Sequence, residues 1–160
     1  MLDGPSVAAA LKRSGVTHVV WVPDSVLGAW DGALAGDPDL RLIRVCREGE
    51  GLAVAAGLLL GGARPIVMLQ CTGLFEAGDA LRNIVHDLKL PLFLVVGVRS
   101  LLAHRRGASR DSCPVFTEPF LQAWRIPSTI LEPDASADDL AAAYRQARES
   151  GHAAAVLLPE

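Results

Sequence analysis

The residues best suited to chemistry stand together in Cys46-Arg47-Glu48-Gly49-Glu50. A short apolar run at 42–45 leads into them, and a stretch of mostly Ala, Val, Leu and Gly follows as far as Gly62. An acid at the mouth of such an apolar helix has hydrocarbon on one side and a crevice on the other. Partial burial disfavours the charged carboxylate and raises its pKa. A carboxyl group tuned in this way exchanges a proton near neutral pH. The plain alternative is that Glu48 and Glu50 only favour the positive end of a helix. A second concentration of functional groups is basic: Arg99, His104, Arg105, Arg106 and Arg110. Arginine suits bidentate binding of oxyanions, and a solvated charge run or a salt bridge to another chain is the alternative.

These groups need elements to hold them. Asp3 to Ser6 can open a helix that continues over 7–14, with Gly15 to stop it. Residues 17–22 read as a buried strand ended by Pro23, and Asp24 or Ser25 caps a helix through Leu34. A second strand spans 40–45, followed by the Ala-rich helix to about Leu60. The third strand is 65–70, with a turn at 71–75 and a helix at 76–88. The fourth strand is 90–98, then a basic loop at 99–114 and a helix at 116–124. A short strand at 128–131, a helix at 138–150 capped by Ser136, and a strand at 153–158 complete the chain. The strands are continuous apolar runs alternating with helices, which predicts a doubly wound, mostly parallel six-stranded α/β sheet in a single domain. Ligands in such sheets bind beyond the carboxyl ends of the strands. The loops at 23–25, 46–50, 70–75 and 99–110 fall there.

Composition sets limits. The 160 residues suffice for one domain with a full core. They are 51% apolar and only 5% aromatic, so the interior is aliphatic. A net charge of −3 gives no reason to expect nucleic acid or an anionic membrane as partner. Three cysteines, Cys46, Cys71 and Cys113, without C-x-x-C spacing fit buried reduced thiols and no zinc framework. With no basic-then-apolar leader pattern and no apolar run of ~20 residues, a cytoplasmic protein is expected.

The arrangement of strand, Arg47-Glu48, second acid and Ala-rich helix resembles the pyrimidine-binding (PYR) domain of thiamine-diphosphate-dependent enzymes. In that family a Glu precedes a helix Gly by the interval that separates Glu48 from Gly57. VPDSVL at 22–27 resembles the family's first βα loop, closest to the GVPDS or GVPCS form of phosphonopyruvate and sulfopyruvate decarboxylases. Trp21 stands where Gly is usual. Residues 69–100 resemble the third strand, helix and fourth strand. Cys71-Thr72-Gly73-Leu74 is near the Asn-Ser-Gly-Leu of the phosphonopyruvate group, with the Asn lost.

The resemblance implies that residues 1–160 form a PYR domain in which Glu48 is the catalytic acid. Glu48 would hydrogen-bond the aminopyrimidine nitrogen N1′, with Pro23, Thr72, Gly73, Leu74 and Phe75 also contacting the cofactor. Asp24, Ser25, Gln70, His104, Arg105 and Arg106 become candidate contacts for a small anionic 2-oxo acid. Simple alternatives for these are turn chemistry, helix capping and backbone bonding. The family holds diphosphate and Mg²⁺ through Gly-Asp-Gly and a distant Asn. Gly78-Asp79-Ala80, with Asn83 one turn on, is not that motif. The resemblance therefore implies no metal ligand here and a partner β subunit carrying thiamine diphosphate and Mg²⁺, in an α₂β₂ or larger assembly inactive without both chains. Arg105-Arg106-Gly107 does not match the Asp-Glu-Pro-Gln-His loop of the phosphonopyruvate enzymes, so the 2-oxo acid stays open. A carboligase subunit and a non-catalytic small-ligand or regulatory module are the alternatives. A flavodoxin-like nucleotide binder is weaker, because no Gly-rich loop follows the first strand.

Overall fold

A computed structural model describes residues 2–160. Helix α1 (Gly4–Arg13) starts beneath Asp3, whose carboxylate accepts the Ser6 N–H at 2.9 Å. Strand β1 (His18–Trp21) follows, then a 3₁₀ turn (Gly28–Trp30), helix α2 (Asp31–Gly36) and strand β2 (Arg41–Arg44). Helix α3 (Glu48–Leu60), strand β3 (Pro65–Gln70) and the short helices α4 (Cys71–Glu76) and α5 (Gly78–Arg82) come next. A π turn (Asn83–Asp87) leads to strand β4 (Phe93–Val98). Helices α6 (Leu101–Arg105) and α7 (Cys113–Ala123), strand β5 (Ser128–Ile130), helix α8 (Ala137–Ser150) and strand β6 (Ala154–Pro159) finish the chain.

All six strands are parallel, in the order β2-β1-β3-β4-β6-β5, so β2 and β5 form the margins. Successive strand residues point to opposite faces, and here both faces are apolar. Val19, Trp21, Ile66, Met68, Phe93 and Val95 meet α1, α2 and α8 through Leu11, Leu34, Leu140 and Tyr144. Val20, Val67, Leu69, Leu94 and Val96 meet α3, α4, α5 and α7 through Leu52, Leu74, Leu81 and Leu121. The doubly wound single domain read from the sequence is the architecture observed. Among the described residues no helix is long and apolar enough to cross a membrane.

Four local expectations change. Residues 25–34 do not form one helix, because Asp24 Oδ1 accepts the N–H of both Val26 and Leu27 and closes an Asx turn first. Residues 71–75 are helix rather than turn, since Cys71 and Leu74, one helical step apart, are both fully buried. The helix expected at 76–88 is broken at Ala77, and the break keeps Leu74, Ala77, Leu81 and Ile84 all inside the core. The basic loop contains α6, pinned by buried Leu101 and by the Leu102 N–H to the Glu160 carbonyl at 3.0 Å.

Candidate active site

The chain runs outward from β1 to β2 and then crosses back to β3, so connections leave the carboxyl ends of β1 and β3 in opposite directions. Such a switch point leaves a crevice. Glu48, the first residue of α3, stands beside it, with Arg47 extended (φ −142°, ψ 144°) as the helix cap. Glu48 is half-buried. Its carboxylate makes no hydrogen bond or ion pair among the described residues, and it lies against Gly73 of α4 so closely that a β-carbon there would collide with it.

The neighbouring charges are arranged around this acid. The Arg47 guanidinium turns away to Glu76, with Nε 3.1 Å from Oε1 and Nη2 also in contact. Glu76 Oε2 accepts the Gly49 N–H at 3.4 Å. The hydrogen bond from Arg47 holds the Glu76 carboxyl below its ordinary range, so Glu76 is ionised at neutral pH. Glu50 is also occupied, accepting the Cys46 N–H at 3.2 Å. The two acids of the motif thus divide, with Glu50 serving the backbone and Glu48 left without a partner among the described residues of its own chain.

Pro23 and Ser25 are exposed at the end of β1. Asp24 spends both oxygens locally, on the two turn amides and on the Trp21 indole N–H at 3.0 Å. That last bond gives Trp21 a structural use in place of the usual glycine. Thr72 is exposed and donates to Gln70 Oε1 at 3.0 Å. Leu74 is wholly buried, and Phe75 packs on Phe120 with ring centroids 5.5 Å apart. Of the basic group, Arg99 pairs with Asp111 at 2.8 Å and Arg105 with Glu132 at 2.7 Å. Arg106 has no ion pair among the described residues. With Ser25, Arg99 and Glu160 it lines a hollow of about 410 Å³ over the ends of β4 and β6. His104 is half-buried, with Nδ1 shut away from solvent and lacking a hydrogen-bond partner. Cys71 and Cys113 are buried as expected, whereas Cys46 is exposed.

Sequence reasoning missed Glu76 and Asp111. Glu76 meets Arg47 across 29 residues, and no local spacing signals the pair. Asp111 accepts the Cys113 N–H at 3.0 Å and the Arg99 guanidinium, and these push its pKa down to about 2. The Asp-Ser-Cys-Pro run at 111–114 was a readable cap signal for α7.

Known proteins bear on this geometry. No family model matches the chain. Sulfopyruvate decarboxylase subunit alpha from Methanococcus maripaludis is 32% identical over 122 residues, covering 76% of this chain and 72% of that one. The chain belongs to the sulfopyruvate decarboxylase α-subunit family. Its domain is of that family's PYR type. Phosphonopyruvate decarboxylase from Streptomyces viridochromogenes is 34% identical over 95 residues, 59% of this chain, and the match spans only 24% of that longer protein. The fold is shared with benzoylformate decarboxylase from Polynucleobacter necessarius, at a TM-score of 0.69 and 20% identity over 99% of this chain and 30% of that one. It is shared also with the thiamine diphosphate-dependent 4-hydroxybenzoylformate decarboxylase of Rhodococcus jostii, at a TM-score of 0.69 and 23% identity over 96% of this chain and 29% of that one.

Proposed function

We propose that residues 1–160 are the PYR-domain α subunit of a two-component thiamine-diphosphate-dependent decarboxylase acting on a small anionic 2-oxo acid. The observation that carries this is the unpartnered Glu48 carboxylate resting on Gly73 at the switch-point crevice. A carboxyl group with no intrachain hydrogen bond is available to a heterocyclic nitrogen, and bare backbone at Gly73 leaves room for it. The site residues therefore fit an aminopyrimidine. Bound thiamine diphosphate supplies the electron sink for loss of CO₂. Glu48 shares a proton with ring nitrogen N1′, and Pro23, Thr72, Gly73, Leu74 and Phe75 shape the surface around it. Leu74 and Phe75 act from within, by fixing α4 beneath Glu48.

The diphosphate and Mg²⁺ belong on a β subunit in this reading, in an α₂β₂ or larger assembly. The name of the Methanococcus relative, a subunit alpha, supports a partner chain. So does α3, which is apolar on its outer face as well as its inner one. Ala53 and Gly57 are exposed there, and Leu60 is 72% exposed. Arg106, unpaired beside Ser25, is the best-placed cation for the anionic end of a substrate such as sulfopyruvate or phosphonopyruvate. Arg105 is held by Glu132 and serves less directly. His104, Asp24 and Gln70 line or brace the same end of the sheet.

The test is reconstitution. The chain mixed with its β subunit, thiamine diphosphate and Mg²⁺ should release CO₂ from sulfopyruvate or phosphonopyruvate, and neither chain should do so alone. Glu48→Gln should lower kcat by about 10²–10⁴-fold with unchanged assembly. Full activity of Glu48→Gln would overturn the assignment.

A further inference from the structure

At the amino ends of the strands, opposite Glu48, a hollow of about 580 Å³ opens among the turns leading into β4, β5 and β6. Its titratable lining is His86, Lys89, Arg125 and His152, with no carboxylate, in a chain whose net charge is −3. The side chains of Lys89, Arg125 and His152 have no hydrogen bond or ion pair among the described residues. Asp87, the nearest acid in sequence, is taken by Arg82 at 2.8 Å. His86 has a different task. One ring nitrogen donates to the Trp124 carbonyl at 2.6 Å, which fixes the turn that carries Arg125.

The backbone adds an independent observation. Lys89 and Arg125 lie in the left-handed region, at φ 54° and 53°. Arg125 closes α7 with its N–H to the Gln122 carbonyl and the Ile126 N–H to the Leu121 carbonyl, both 2.9 Å. The same pair of bonds ends α1 and α3, where Gly15 and Gly62 occupy the left-handed position at φ 81°. Glycine adopts this conformation without steric cost. At the basic hollow the chain instead keeps long cationic side chains in it, and retained backbone strain of this kind clusters at ligand sites. The pattern occurs twice, as Lys89-Leu90-Pro91 and Arg125-Ile126-Pro127, each just ahead of a strand.

We propose that this hollow is a binding site for a phosphorylated small molecule, whose phosphoryl oxygens are held by Lys89, Arg125 and His152. The Arg125 guanidinium matches a pair of phosphoryl oxygens. Lys89 and His152 line the same hollow and supply point donors. The site stands apart from the proposed decarboxylase role and survives if that role fails.

Inorganic pyrophosphate titrated into the full chain, followed by ¹H–¹⁵N spectra of the His152 ring, tests the site. Work at ~0.15 M salt limits unspecific attraction to within ~8 Å. The expected result is a saturable shift, weakened about tenfold or more in Lys89→Gly and in Arg125→Gly. Glycine favours both backbone positions, so both variants should keep or raise the melting temperature, separating lost binding from lost folding. Arg44→Ala, at the carboxyl end of β2, should bind as the unaltered chain does. Shifts that do not saturate, binding that survives both glycine variants, or binding lost in Arg44→Ala would each overturn the proposal.

Discussion

The carboxylate of Glu48 lies against the backbone of Gly73, where any side chain would strike it. The acid and the bare backbone form one unit, and their substitutions should not be additive. Gly73→Ala should displace Glu48 and lower the reconstituted activity more than about tenfold. Adding Glu48→Ala to it should cost no more than Glu48→Ala alone. Steady-state rates of the two single variants and the double variant measure this.

Glu76 holds the Arg47 guanidinium in an ion pair, and Arg47 makes none with Glu48 among the described residues. Removing that acceptor frees a guanidinium one residue from the proposed catalytic acid. Glu76→Gln should leave the melting temperature nearly unchanged, because the pair is solvent-exposed. It should lower kcat in steady-state assays, since the freed guanidinium can pair with the Glu48 carboxylate. An Arg47→Ala, Glu76→Gln double variant should restore kcat.

Asp111 gives a signed pH effect. Its pKa falls from 3.8 to about 2 in the folded chain, chiefly through the Cys113 N–H and then Arg99. The folded state holds this proton less tightly than the unfolded one, so the contribution is complete above the unfolded pKa. It is lost as pH falls through the folded value. Denaturant midpoints measured from about pH 5 down to about pH 2 should therefore drop less steeply in Asp111→Asn than in the unaltered chain.

Tyr144 carries a buried hydroxyl with no hydrogen-bond partner among the described residues, while its ring packs edge-on against Phe93 at 5.3 Å. Tyr144→Phe keeps the ring and removes the unsatisfied group. Urea unfolding should show a gain of about 1–3 kcal/mol.

How far the sequence discloses this molecule depends on whether a signal is local. Runs such as Pro65–Gln70 are apolar on both faces, which leaves a covered parallel strand as the natural reading, and the sheet follows from them. Glu48 stands out because its spacing to Gly57 and its strand–helix setting are contiguous. The role of Arg105 is not local in that way, and the role of Asp24 is local but ambiguous. An Asp after a strand signals a helix cap and an Asx turn equally, and only the fold shows Asp24 taking the Trp21 indole. The basic cluster at 99–110 looks like one anion site until Asp111 and Glu132 each claim an arginine. Left-handed Lys89 and Arg125 give no sequence sign, because residues adopting that conformation are ordinarily Gly or Asn.

Neither margin of the sheet invites another strand. β5 is only Ser128–Ile130, and β2 begins and ends on exposed arginines, Arg41 and Arg44. Short or charged borders resist the edge-to-edge stacking that leads to fibrils. Helix and loop surfaces, and not these borders, are left for contact with another chain, and the sheet presents no sticky ribbon at either side.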